Sequence, residues 1–131
     1  MPTFEEAARA FVAYARGQSP GDAWVYDGIF TLNFERRYDE LWELILLVFE
    51  LTPFDDTQVL AILAAGPLED IVRYAAPEFE ERIVERIKVD PKFRRAMTGV
   101  WAREERKDFW YRITPLLYEY RTEPIDGYRN S

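Results

Sequence analysis

Four pairs of adjacent carboxylates, Asp55-Asp56, Glu69-Asp70, Glu80-Glu81 and Glu104-Glu105, are the groups in this 131-residue chain that could be asked to do acid–base or metal chemistry. Two carboxylates cooperate only when both reach one proton or one ion. Neighbours on a helix point about 100° apart, so such pairs diverge. The chain has no His and no Cys, and its only serines, Ser19 and Ser131, fall in stretches of turn and tail composition. Nucleophilic triads, cysteine dyads and zinc sites therefore lack their materials. Ala64-Ala65-Gly66 has neither the spacing nor the following Lys of a phosphate-binding loop. By subtraction the sequence predicts a protein that is not an enzyme and holds no metal and no cofactor.

Binding is what remains, and charge indicates the kind of partner. The net charge is −7, and it is unevenly spread: residues 35 to 85 carry thirteen Asp or Glu against four Lys or Arg, while residues 86 to 107 carry eight Lys or Arg against three acids. A net negative field opposes nonspecific phosphate binding and favours a basic partner. On a helix expected over Glu35 to Leu51, Asp39, Glu43 and Glu50 project within about 40° of one another, with Leu46 set among them. Asp55 and Asp56, just past the helix end, extend this acidic face. Leu46 is either covered by another helix or an exposed anchor, and both readings stand. Lys88, Lys92, Arg94, Arg95, Arg103, Arg106 and Lys107, flanked by Trp101 and Trp110, form the one basic cluster suited to nucleic acid. Phe93 and Trp101 share an apolar stripe, however, which predicts core rings rather than stacking platforms and argues against nucleic-acid binding.

The elements that position these groups read as helices throughout. Thr3 and Glu6 have capping-box spacing, and Phe4, Ala7, Ala8, Phe11, Val12 and Ala15 follow at helical period up to Gly17. After a Ser-Pro-Gly turn, Asp22 is placed to cap a ring-rich segment from Ala23 to Phe34, weakened by Gly28 and Thr31. The third helix, Glu35 to Leu51, has so few polar positions that it must be central. Asp55-Asp56 opens a fourth, which runs to Gly66.

Pro67, Pro77 and Pro91 each suit the first position of a helix, where a missing N–H costs nothing. They predict three short amphipathic helices, the first with Glu69 and Asp70 in its opening turn, the second with a Glu78–Arg82 pair, the third capped by Asp90. Gly66 is expected to act as cap and hinge. A charged joint from Arg103 to Lys107 leads to a last helix, Asp108 to Tyr120, which Pro115 should kink or cut short. Residues 122 to 131 read as a loose tail after a single helical domain spanning residues 1 to 121.

The order GPLED (Gly66 to Asp70), DPKFR (Asp90 to Arg94) and GVW (Gly99 to Trp101) resembles a bacterial family of small helical domains whose usual motifs are GPLED, DPRFR and VW. That family has no assigned function. The likeness extends upstream through WELIL (Trp42 to Leu46) and covers most of residues 4 to 101. It departs at Ala75-Ala76-Pro77, where the family commonly carries a His-Gly pair. The resemblance implies the fold and no activity.

The expectation is thus an all-α single domain of six to eight helices, built from antiparallel pairs in a bundle or a short HEAT-like array. Without cysteine and without an apolar run near the ~20 residues of a membrane span, a cytoplasmic protein away from membranes is expected. Three functions are open. One is an interaction domain of immunity type that neutralises a basic toxin or effector. Another is a structural or regulatory subunit that forms homo-oligomers through opposite charged ends. The last is a nucleic-acid binder using the Arg94 region.

Overall fold

The computed structural model describes residues 3–18 and 20–125. Among them are seven α-helices and no strand: α1 Phe4–Ala15, α2 Trp24–Phe34, α3 Tyr38–Leu51, α4 Thr57–Ala65, α5 Pro67–Val89, α6 Pro91–Met97 and α7 Lys107–Glu119. The chain is all-helical, and its core is shared between two hubs. α3 packs on α1, α2 and α5, and α5 packs on α3, α4, α6 and α7. Where α3, α5 and α6 meet, the Trp42 ring lies 5.8 Å from Phe79 of α5 and 5.6 Å from Phe93 of α6, centroid to centroid, and Phe49 joins Phe93 at 5.4 Å.

Local chemistry explains most boundaries. At the start of α1 the Thr3 hydroxyl accepts from Glu6 N–H at 3.1 Å while Thr3 N–H donates to the Glu6 carboxylate at 3.2 Å, so two otherwise unpaired donors are satisfied. Asp56 accepts from Val59 N–H to cap α4, and Asp90 accepts from Lys92 and Phe93 N–H to cap α6. Gly66 is both the C-cap of α4 and the residue before Pro67, and a Cβ there would stand 3.2 Å from the Ile62 carbonyl oxygen. The chain can turn directly from one helix into the next at this point because nothing projects from Gly66.

The third helix begins at Tyr38 rather than Glu35. Arg36 lies in the left-handed region at φ 58°, and Arg36 and Arg37 N–H return to the Asn33 and Leu32 carbonyls to close α2. α2 itself has no side-chain cap: its N-cap position is Ala23, and Asp22, in the short 3₁₀ turn before it, accepts from the Trp24 indole.

Pro77 does not start a helix. It sits inside α5, a single helix of 23 residues. An interior proline removes the donor for the carbonyl four residues earlier, here that of Arg73. Arg106 supplies the replacement from another part of the chain: its Nε donates to the Arg73 carbonyl at 2.8 Å and to the Val72 carbonyl at 3.2 Å. That cross-chain donor is what lets α5 run through the proline. Nor does Glu78 pair with Arg82, which reaches across to Asp39 of α3 at 2.6 Å.

Two further expectations change at the C-terminal end. α6 stops at Met97 and turns follow, so Trp101 leaves the Phe93 stripe and is 67% exposed. α7 continues through Pro115 to Glu119. Of the expected tail, Ile125 is buried and its N–H donates to the Thr98 hydroxyl at 3.1 Å, so residues 122–125 dock on the body of the fold. Residues 126–131 lie outside the described residues.

Candidate protein-binding surface

Each acidic residue singled out by the sequence has a definite place. Asp39, Glu43 and Glu50 are exposed along α3, and Leu46 on the same helix is half-buried against the core. Truncating Leu46 would therefore report on packing as well as on binding. Asp39 is engaged by Arg82. Asp56 is a cap and also an ion-pair partner, with Arg16 Nε donating to it at 2.6 Å, so it holds α1 to the start of α4. Asp55 beside it is exposed. Among the described residues, Glu43, Glu50 and Asp55 have no cation within ion-pair distance. The acidic surface free to meet a partner is thus these three carboxylates, with Asp39 at its edge.

The basic segment behaves in the opposite way, because most of its cations point into the fold. Lys92 Nζ donates to the Phe49 carbonyl at the end of α3 at 2.5 Å. Arg94 donates to the Ile87 carbonyl at 2.7 Å and lies over the Tyr120 ring. Arg95 is 5% exposed, donates to the Phe54 carbonyl at 2.9 Å and stacks on the Phe54 ring. Arg103 places Nε and Nη2 on Glu69 Oε1 at 3.1 and 3.0 Å. Arg106 serves the carbonyls beside Pro77. Lys88 and Lys107 are exposed, next to Glu85 and Glu104. Planar guanidinium groups suit this work, since several donors in fixed geometry can satisfy helix carbonyls and a carboxylate together. Five of the seven cations are committed inside the protein, so the basic stretch of sequence does not become a basic patch of comparable strength.

Sequence reasoning placed Asp70, the last residue of GPLED, as an ordinary carboxylate in the opening turn of a helix and missed its partial burial. Its carboxyl is raised to about 6, first by burial, then by the neighbouring Glu69 charge, with Arg73 opposing. The opening turn of a helix ordinarily favours a carboxylate, but here desolvation is the larger effect. The only signal in the sequence was Asp70 following Glu69 directly, so that the Arg103 ion pair satisfies one and leaves the other. A carboxyl whose folded value lies above its unfolded value near 3.9 binds more protons when folded, so stability is lost as pH rises from about 4 to about 6. Asp70→Asn is expected to raise Tm at pH 7 by roughly 2–5 °C, allowing for the solvent screening of a half-buried group. The gain should vanish near pH 4. A Tm difference that stayed constant between those pH values would assign the effect to packing instead.

Among the described residues no three carboxylates converge as a metal site would need, and no helix is long and apolar enough to cross a membrane. The model of a family of unknown function (DUF6869) matches residues 15–119, which include the Gly66 to Trp101 stretch and extend through α7. No curated protein and no solved structure matches the chain.

Proposed function

The chain belongs to that family of unknown function, and we propose that it is a non-enzymatic protein-interaction domain whose acidic α3 face receives a basic protein. The observation that carries this reading is the asymmetry of charge commitment: Arg95, Arg103 and Arg106 are held by internal carbonyls and carboxylates, whereas Glu43, Glu50 and Asp55 face solvent with no cation paired to them among the described residues. Folding turns a chain of net charge −7 into a surface whose acids are more available than its bases. Such a surface steers a basic partner and repels nucleic-acid phosphates. The specific form of the proposal is an immunity-type neutraliser, bacterial and cytoplasmic, that covers a basic toxin or effector.

The test is association with the products of genes adjacent to its own. Glu43→Lys with Glu50→Lys should slow association by about tenfold and flatten its dependence on salt while leaving Tm within about 2 °C, because exposed rim charges act mainly on the on-rate. Binding that is indifferent to both reversals would remove the acidic face from the interface. Binding to acidic neighbours alone would overturn the proposal.

A further inference from the structure

The outward face of α2 sets two large rings in water beside Asp27, Gly28 and Thr31. Adjacent large rings left in water on a helix face mark a surface suited to being covered. α1 and α3 cover one side and bury Val25 and Ile29, with Tyr26 and Leu32 partly covered. On the other side Phe30 and Phe34 are 68% and 77% exposed. One turn apart, their rings are stacked with centroids 6.1 Å apart and planes 18° apart. Around them the surface is small or already satisfied. Nothing lies within 4 Å of where a Gly28 Cβ would be, and the Thr31 hydroxyl donates back to the Asp27 carbonyl at 2.9 Å. This face is distinct from the acidic α3 face and from the basic segment.

We propose that the Phe30–Phe34 face of α2 is covered by the same face of a second copy, the two α2 helices crossing antiparallel about a twofold axis at the level of Leu32. Charge selects this occupant. Asp27 precedes the rings and Arg36 follows them, both exposed, and among the described residues neither has an ion-pair partner in its own chain. An antiparallel pairing that sets Phe30 against the second copy's Phe34 brings Asp27 to within one residue of the second copy's Arg36. Twofold symmetry then makes the same pair twice. A parallel pairing would set like charges together at both ends. Four phenyl rings would withdraw roughly 500 Å² from water, about half of the ~1,000 Å² that a specific interface clears. Trp24, Gly28 and Thr31 of both copies supply further contact, so the dimer should be reversible, with a dissociation constant in the micromolar range.

Sedimentation equilibrium of the full chain at ~1 to ~200 µM, a span that brackets micromolar affinity, is expected to show a mass rising from 15.6 kDa toward twice that value. Phe30→Ser with Phe34→Ser should hold the monomer mass throughout, with unchanged circular dichroism. Asp27→Arg and Arg36→Asp should each weaken association by roughly fivefold, since each breaks two symmetric pairs, and combining them should restore it. This charge exchange leaves the rings intact, so it tests the pairing even if the serine variant folds poorly. A wild-type protein that stays monomeric at the highest concentration overturns the proposal, and the face is then assigned to a different protein or to a lipid surface. Association unaffected by the serines, or a double exchange as weak as the single ones, overturns it equally.

Discussion

Phe93→Ala is expected to cost about 3–5 kcal/mol, the range for removing a fully enclosed ring. Phe93 has no exposed surface and touches Trp42 and Phe49 of α3 from the start of α6. Its loss would open a cavity where α3, α5 and α6 meet, and the helices cannot simply close on it because α3 is also packed on α1 and α2, α5 on α4 and α7, and α6 is held to both. Lys92 holds the end of α3 and Arg94 the end of α5. Urea unfolding measures this directly. A loss below ~1 kcal/mol, the size of an ordinary surface change, would mean that the aromatic junction is not the centre of the fold.

Arg95→Glu is expected to be similarly destructive, about 3–5 kcal/mol, by placing an unpaired charge in a buried site. The Arg95 side chain fills space under Phe54, donates to its carbonyl and lies 3.8 Å from the exposed Glu123 carboxylate, while its Nε is buried without a hydrogen-bond partner. Arg95→Met keeps the volume and gives up only the Phe54 hydrogen bond and the pair with the exposed Glu123, so it should cost about 1–2 kcal/mol, well below the reversal. The contrast between the two variants identifies Arg95 as a packed structural cation. Equal, small effects in both would instead place it on an open binding surface. The result also bears on any test of nucleic-acid binding, because charge reversal at Arg95 would abolish a gel shift by unfolding the protein.

Secondary structure was legible where the deciding interaction is a side-chain cap within a few residues. Thr3 with Glu6, Asp56 with Val59 and Asp90 with Lys92 are local hydrogen bonds between residues two or three apart, and each fixes a helix start that the sequence already marked. The all-helical class follows from the 3.6-residue spacing of apolar positions, which no distant contact has to supply. The absence of His and Cys is likewise a property of composition. The expected boundaries failed for two reasons: a partner that is remote, or a local backbone turn that competes with the helix. Whether Pro77 ends a helix depends on a donor from Arg106, 33 residues away from the carbonyl it satisfies. Whether Trp101 is core depends on where α6 stops, and α6 stops after Met97 as turn hydrogen bonds at Thr98 and Gly99 replace the helix.

The candidate surfaces divide in the same way. The sequence by itself determined the composition, the helical elements and the positions of the charges. Only the tertiary structure decided which charges are available, since an ion pair such as Arg82 with Asp39 or Arg103 with Glu69 joins residues more than thirty positions apart. It also decided that α2, as ring-rich in sequence as a core helix, is covered on one side only. Periodicity reports which residues of a helix prefer to leave water. How much cover they receive depends on how many neighbouring helices the chain brings to them, and among the described residues most of Phe30 and Phe34 is left in water.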